Sequence, residues 1–360
     1  MSLATRFRDA NLRRAPGRLL LGPEWLVLGV NNACNLRCRM CGVGLGRDDT
    51  NFGRNLTGSR PLDMPWDLFE RVVSEAAATR PRPRIGFAFT EPLLWKPLVD
   101  AVSLARSRGI GTAVTTNGWR LPELAAPLAR AGLDDLFLSL DGPPDAHDAI
   151  RGREGSFERA VRGLEALLAC TPRPAASVFC VVTPWNVLRL AELVGRLSTF
   201  PLAAVGFLHA NFTTAEMAAA HNAVHGGTYP ATESNLGPLD PSAYDLPALA
   251  DEIARVRALR PAFRVTFSPE IDGLDALRRF YLEPQAKWGR ACRDATRSLL
   301  VKSDGRVIPA HGRCYDVPVG NLRESRLADL WNSTEMARFR RTLVGAGGLL
   351  PACTRCCSAF

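Results

Sequence analysis

No apolar run in this 360-residue chain reaches the length of a transmembrane helix. The opening MSLATRFRDANLRRAPGRLLLGPEW is basic, yet its apolar LLLG is too short for the core of a signal peptide. Asp9 and the immediate run into a strand also count against an organelle transit peptide. The expectation for residues 1–24 is a basic arm resting on a membrane surface or on the folded domain. Internal repeats and low-complexity tracts are absent, which excludes solenoids and long disordered tails. Acidic residues are in deficit, 36 against 45 Lys and Arg, for a net charge of +9. That balance favours anionic partners, but arginines spread over amphipathic helices read more simply as a solvated basic face, and no specific nucleic-acid partner is expected. A secreted disulfide framework is also missing. Eight of the ten cysteines fall into two groups with metal-like spacing, so the expected compartment is reducing and cytoplasmic.

What is present suffices for a large core: 46% of residues are hydrophobic and 22% charged. Short apolar segments alternate with amphipathic ones. EWLVLGV (25–31), RIGFAF (84–89), GTAVTTNG (111–118), LDDLFLSLDG (133–142), ASVFCVVT (176–183) and AAVGFLHA (203–210) read as six strands. Helical periodicity fills the intervals, as in LDMPWDLFERVVSEAAA (62–78) and FERAVRGLEALLAC (157–170). Regular alternation of this kind predicts parallel strands with right-handed crossovers. Chemically loaded residues sit just after the strands, which suits an open, partial (β/α)6 barrel over 25–210 better than a doubly wound sheet. From 211 to 285 the pattern loosens into a bridging segment with a long polar loop of the kind that forms lids, a helix and the short strand FRVTF. The last section, 286–360, begins with a hairpin, SLLVKSDGRVIPA, turning at Asp304-Gly305, followed by helical sequence and the closing PACTRCCSAF.

CNLRCRMC (34–41) packs three cysteines into eight residues directly after the first strand. A zinc site would want a fourth Cys or His close by, and the neighbouring residues offer none. Inert buried thiols fit this spacing less well still. A cubane [4Fe–4S] cluster held by Cys34, Cys38 and Cys41 leaves one iron without a protein ligand, free to chelate a cofactor.

This C-x3-C-x2-C after the first strand of a partial barrel resembles the radical S-adenosylmethionine (SAM) superfamily. FTEPLLW (89–95) is similar to that family's Gly-Gly-Glu segment, with Glu91 in the place of the acid and Phe89 and Thr90 in the places of the glycines. TTNG (115–118), SLDG (139–142), HDAIRG and VVTPWN (181–186) resemble the segments at and after strands three, four and five. The resemblance implies that SAM binds the open iron, with Glu91, Thr90 and Asn117 near its methionine end. Ser139 and Arg151 would hold the carboxylate, Asp141 would lie near the ribose, and Met40 would stand where many members carry an aromatic over the adenine. A flavodoxin- or ferredoxin-type electron donor is implied as partner. Alone, each residue has a plainer reading as turn, surface charge or solvated acid; together and in order they carry the family.

In the C-terminal section, Cys292, Cys314, Cys353, Cys356 and Cys357 could form a zinc ribbon by spacing alone. Beside this barrel the layout resembles the SPASM/Twitch extension, implying one auxiliary [4Fe–4S] cluster on Cys292, Cys314, Cys353 and Cys356. Ala310 stands where many members have the cysteine that here comes later, at Cys314. A full two-cluster SPASM domain needs more cysteines than these five. His209 at the end of strand six, Cys180 within strand five and Cys357 are the candidate catalytic residues, each with core packing or a spare thiol as the plainer reading. The expected reaction is hydrogen-atom abstraction ending in oxidation of a sugar-like, polyol-like or other small biosynthetic substrate, phosphorylated forms included. Radical epimerisation and peptide modification are the rival enzymatic readings, and a non-enzymatic iron–sulfur protein the rival of a different class. The absence of an extra N-terminal leader-binding domain weighs against peptide modification. Anaerobically purified protein is expected to hold about eight irons in two cubanes; stoichiometric zinc by elemental analysis would overturn the auxiliary-cluster reading.

Overall fold

The structure, a computed structural model, describes residues 3–58, 60, 62–233, 239–309, 312 and 314–360. Six parallel strands stand where the alternation places them: β1 Trp25–Leu28, β2 Arg84–Phe87, β3 Thr112–Thr116, β4 Asp135–Ser139, β5 Ala175–Val182 and β6 Ala204–His209. Each pairs with the next in sequence order, and helices return the chain between them. Helix Trp66–Ala78 shows how periodicity sets the packing: Leu68, Phe69, Val72, Val73 and Ala76 form one buried face toward the sheet. Helix Leu121–Ala131 stops where Gly132 takes φ 87°, a left-handed conformation that a side chain would strain.

The sheet does not end at six strands. β7, Arg264–Ser268, adds in parallel to β6, and β8, Ser298–Val301, adds in parallel to the opposite edge at β1. β9, Arg306–Pro309, and β10, Gly320–Asn321, continue antiparallel, giving the open order β10-β9-β8-β1-β2-β3-β4-β5-β6-β7. Burial explains both additions. Val205 and Phe207 on β6 are fully buried and need cover, which β7 supplies with Phe267 stacked on Phe207 at 5.0 Å between ring centroids. All four residues of β8 are buried, the pattern of a strand covered on both faces rather than of a free hairpin. The hairpin still turns where expected, with Gly305 at φ 88° and the Asp304 carboxylate accepting from the Arg306 N–H at 3.0 Å. Ala310, at the hairpin's far end, lies outside the described residues.

The basic N-terminal segment is a helix, Leu3–Arg14, docked on the C-terminal section. Arg8 anchors it: its buried guanidinium pairs with Glu24 at 2.9 Å and donates to the Thr296 carbonyl at 2.8 Å. One large core runs from the barrel helices through β8 to Trp331 and Met336. A second, smaller core gathers Tyr229, Tyr315, Val317, Phe339 and Leu350, with Cys292, Cys314 and Cys353 packed against it. Among the described residues no helix is long and apolar enough to cross a membrane.

Because β8 lies inside the shared sheet, Leu299→Ala should cost roughly 2–5 kcal/mol and lower the whole unfolding transition. A separate early transition in circular dichroism, with the barrel unaffected, would contradict this continuity.

Candidate functional site

The loop after β1 alternates its side chains: Leu36, Cys38 and Met40 are buried, while Arg37 and Arg39 face solvent. What holds it is the C-terminus of helix Pro144–Arg151, whose last carbonyls lack partners within the helix. The Arg39 N–H donates to the Ile150 carbonyl at 2.8 Å and the Arg37 N–H to the Arg151 carbonyl at 3.3 Å. Gly152 makes the approach feasible. It sits at φ 67°, and a Cβ there would stand 2.5 Å from the Arg37 carbonyl oxygen.

Cys34, Cys38 and Cys41 share this loop, Cys34 the most exposed of the three and Cys38 buried. Burial pushes the Cys38 thiol up to about 12, opposed by Arg151 and reinforced by Cys41 and Cys34. Two nitrogens point at the sulfurs: Arg151 Nη1 lies 3.8 Å from Cys38 Sγ and Asn117 Nδ2 3.8 Å from Cys34 Sγ. Among the described residues, no group of three or more His, Cys, Asp or Glu is gathered as a ligand set for one metal ion. The fit to an iron–sulfur cluster rests on the donors themselves: three neighbouring thiols, N–H groups aimed at two of them, and a buried cation beside them, the features that favour thiolate and tune cluster potential.

Glu91 ties the loop ends together. Its Oε1 accepts from the Leu93 N–H at 3.0 Å and the Thr116 hydroxyl at 2.7 Å, and its Oε2 from the Asn117 N–H at 2.8 Å. Burial raises its pKa against those three donors. Asn31 crosses to the same strand end, donating to the Glu91 carbonyl at 2.8 Å and accepting from the Thr90 hydroxyl at 2.8 Å. Thr90 is therefore committed to the loop. Phe89 keeps a glycine-like backbone, φ 86°, in spite of its side chain.

Arg151 and Asp141 form a buried ion pair at 2.6 Å. Burial pulls the Arg151 pKa down, and Asp141 and Cys38 more than reverse it. The Val181 N–H donates to Asp141 Oδ1 at 2.8 Å, so the carboxylate expected beside a ribose is fully buried and taken up by protein. Asn186 and His147, absent from the sequence-based site list, brace it: Asn186 Nδ2 donates to the Asp141 carbonyl at 3.0 Å, and the Asp141 N–H donates to His147 Nδ1 at 3.0 Å. Both lie in quoted segments, VVTPWN and HDAIRG, which was their signal. Ser139 is half-buried at the end of β4, and Met40 packs into the main core.

Two candidate catalytic residues lie in the core. His209 is 1% exposed inside an aromatic cluster of Phe267, Phe280 and Tyr281; Nδ1 meets the Tyr281 hydroxyl at 2.8 Å, and burial pulls its pKa down to about 3. Cys180 is fully buried within β5, its thiol pushed up by burial. Cys357 lies against Cys356 and does not line the cleft described next.

Cys292, Cys314 and Cys353 pack against the second core, and Cys356 lines the same cleft as Cys314 and Cys353. Burial, then Cys314, Asp294 and Cys353, raise the Cys292 thiol. An open cleft is lined by Asn211, Phe212 and Thr213, just after β6, together with Cys314, Tyr315, Cys353 and Cys356; Asn51, Phe52 and residues 231–233 complete it. Arg355 is the one Lys or Arg among these liners, and its guanidinium donates to the carbonyls of Phe280 at 2.6 Å, Ala286 at 2.9 Å and Glu283 at 2.8 Å.

The profile of the radical SAM superfamily matches residues 29–194, and that of the iron–sulfur cluster-binding SPASM domain residues 292–357. The chain belongs to the radical SAM superfamily. It therefore uses a [4Fe–4S] cluster with SAM, and its SPASM domain implies auxiliary iron–sulfur binding. It is 24% identical over 355 residues to a tungsten-containing aldehyde ferredoxin oxidoreductase cofactor-modifying protein of Pyrococcus furiosus, covering 92% of this chain and 87% of that one. It is 33% identical over 185 residues to the mycofactocin maturase of Mycolicibacterium smegmatis, covering 51% of this chain but 44% of that one. The radical SAM fold extends to SuiB of Streptococcus suis bound to S-adenosylmethionine, with a TM-score of 0.62 at 15% identity over 97% of this chain and 76% of that one.

Within this radical SAM site, Glu91→Ala strands three donors, so it should weaken SAM binding and also cost roughly 1–3 kcal/mol of stability. Glu91→Gln should recover part of the stability, since its amide oxygen can serve Leu93 and Thr116 while its NH2 faces the Asn117 N–H, but not SAM affinity. Equal SAM affinity in calorimetry for both variants and the parent would remove Glu91 from the site.

Proposed function

We propose that this radical SAM enzyme oxidises a small biosynthetic or cofactor-like substrate held between the barrel mouth and the SPASM cysteines. The observation that carries the reading is a cleft lined jointly by Asn211, Phe212 and Thr213, just after β6, and by Cys314, Cys353 and Cys356. With both clusters and SAM bound, the chemistry supplied would be homolytic: a 5′-deoxyadenosyl radical would take a hydrogen atom, and the substrate radical would then lose a proton to solvent and an electron to the auxiliary cluster. Cys34, Cys38 and Cys41 would hold the first cluster and Cys292, Cys314, Cys353 and Cys356 the auxiliary one. Glu91 would orient the methionine ammonium, a charge-assisted contact. Arg151, saturated by Asp141, acts toward Cys38 and keeps the loop rigid; Ser139 and Asn117 flank the methionine end.

The similarity to a cofactor-modifying protein along nearly its whole length supports a small substrate. A sugar or polyol gains no support from these relatives. Among the described residues that line the cleft, Arg355 is the one guanidinium and it is spent on backbone carbonyls, so it lends a phosphorylated form no support. Peptide modification is the second reading, favoured by the 33% identity to the mycofactocin maturase over the barrel half. Electrons would come from a flavodoxin- or ferredoxin-type donor in a reducing, cytoplasmic setting.

Oxidation and epimerisation separate in heavy water, under anaerobic turnover with SAM and reductant. A product lighter by two hydrogens, without solvent deuterium at the abstracted carbon, is expected. Deuterium at that carbon with unchanged redox state would sink the oxidation reading, and a product mass change found on a peptide would establish the second one. Cys34, Cys38 and Cys41 changed together to Ala should abolish 5′-deoxyadenosine formation and halve the iron.

A further inference from the structure

Tyr315 is 3% exposed, lines the cleft, and places its hydroxyl between two groups from distant parts of the chain. On one side, 3.2 Å away, is Cys353 Sγ. On the other, 3.4 Å away, is Nδ1 of His221, from helix Ala215–His225 of the bridging segment. The His221 and Tyr315 rings stack at 4.9 Å between centroids, which holds the pair in register. The far nitrogen of the imidazole settles its tautomer. His221 Nε2 lies 2.7 Å from the Tyr229 carbonyl oxygen, which can only accept, so Nε2 carries the proton and Nδ1 of the neutral ring is an acceptor. His221 is fully buried, and burial lowers its pKa, so the neutral ring is the working form.

With Cys353 held as a cluster thiolate, Tyr315 has one proton and two acceptors. An O–H···S contact is at ordinary length at 3.2 Å because sulfur is large, whereas an O–H···N bond at 3.4 Å is long. The sulfur wins the larger share, and His221 draws part of it away. A hydrogen bond to a cluster thiolate favours the more negative, reduced state and so raises its potential.

We infer that Tyr315 and His221 form a tuning pair for the auxiliary cluster: Tyr315 donates to Cys353 and raises the cluster's potential, and His221 restrains that donation by competing for the same proton. This rests on the auxiliary-cluster reading. It adds a role for the bridging segment, which would set how readily electrons leave the substrate cleft. Both are positioning residues, since each acts through Cys353.

The test uses the full-length reconstituted protein, with the first cluster removed by changing Cys34, Cys38 and Cys41 to Ala. The midpoint potential of the remaining cluster is followed by electron paramagnetic resonance during redox titration. Tyr315→Phe should shift the potential downward, and His221→Leu, which frees the hydroxyl for sulfur, should shift it upward. The double variant should match Tyr315→Phe, because His221 acts only through the hydroxyl. A merely structural role would loosen the site in both single variants and move them the same way. Shifts of the same sign, or none, with iron content at the parent level would overturn the tuning pair alone. A C-terminal site that holds no iron–sulfur cluster would overturn the auxiliary-cluster reading and the tuning pair together.

Discussion

A buried carboxylate that must be satisfied by protein donors organises the mouth of this barrel. Glu91 accepts from Leu93, Thr116 and Asn117, which draws the ends of β2 and β3 to a common point. Asn117 then reaches across to Asn35 at 2.8 Å and to Cys34, and Asn31 ties the start of the cysteine loop to the Glu91 backbone. Removing the carboxylate would leave buried donors without partners, a cost larger than the net value of any one of these bonds. The cysteine loop is therefore positioned by the same group proposed to meet SAM. That double duty links fold stability to cofactor geometry at one residue.

Charge at the opposite wall follows a similar logic. Asp141 and Arg151 neutralise each other in a dry setting, where an uncompensated charge would be far more costly than the pair. Their further partners are a backbone group and sulfur: Val181 N–H on the acid, Cys38 Sγ near the base. Guanidinium so close to a thiol lowers the cost of ionising it, against the burial that raises it. The loop's outer arginines, Arg37 and Arg39, stand on the solvent side of the same stretch and contribute their backbone N–H groups to the clamp on Ile150 and Arg151.

Local pattern made the six parallel strands and the two cysteine groups legible, because both follow from side-chain period and spacing. β8 was hidden for a physical reason. SLLV reads the same in a free hairpin as in a strand buried on both faces, and only its long-range pairing with β1 separates the two. The burial of His209 was not legible because its place at the end of β6 is a mouth position in sequence, while the helix Leu274–Leu282 brings Phe280 and Tyr281 over it from about seventy residues away. The Asp141–Arg151 pair was not legible, since nothing local announces that Arg151 will reach Asp141. Asn31 gave no signal at all: an asparagine after a strand is ordinarily a turn residue, and its cross-links to Thr90 and Glu91 exist only in three dimensions.

Where substrate choice resides follows from which residues the general chemistry has already claimed. The barrel mouth supplies cysteines, Glu91 and the Asp141–Arg151 pair, all engaged in holding one another. The walls of the cleft come largely from elsewhere. Asn211, Phe212, Thr213 and residues 231–233 lie between the two matched domains, in the stretch 195–291 that neither family profile covers. That stretch also sends His221 and Tyr229 into the second core, against Tyr315. The link runs along the chain: Thr213 lines the cleft, and Thr214 caps the helix Ala215–His225, whose His221 stacks on Tyr315.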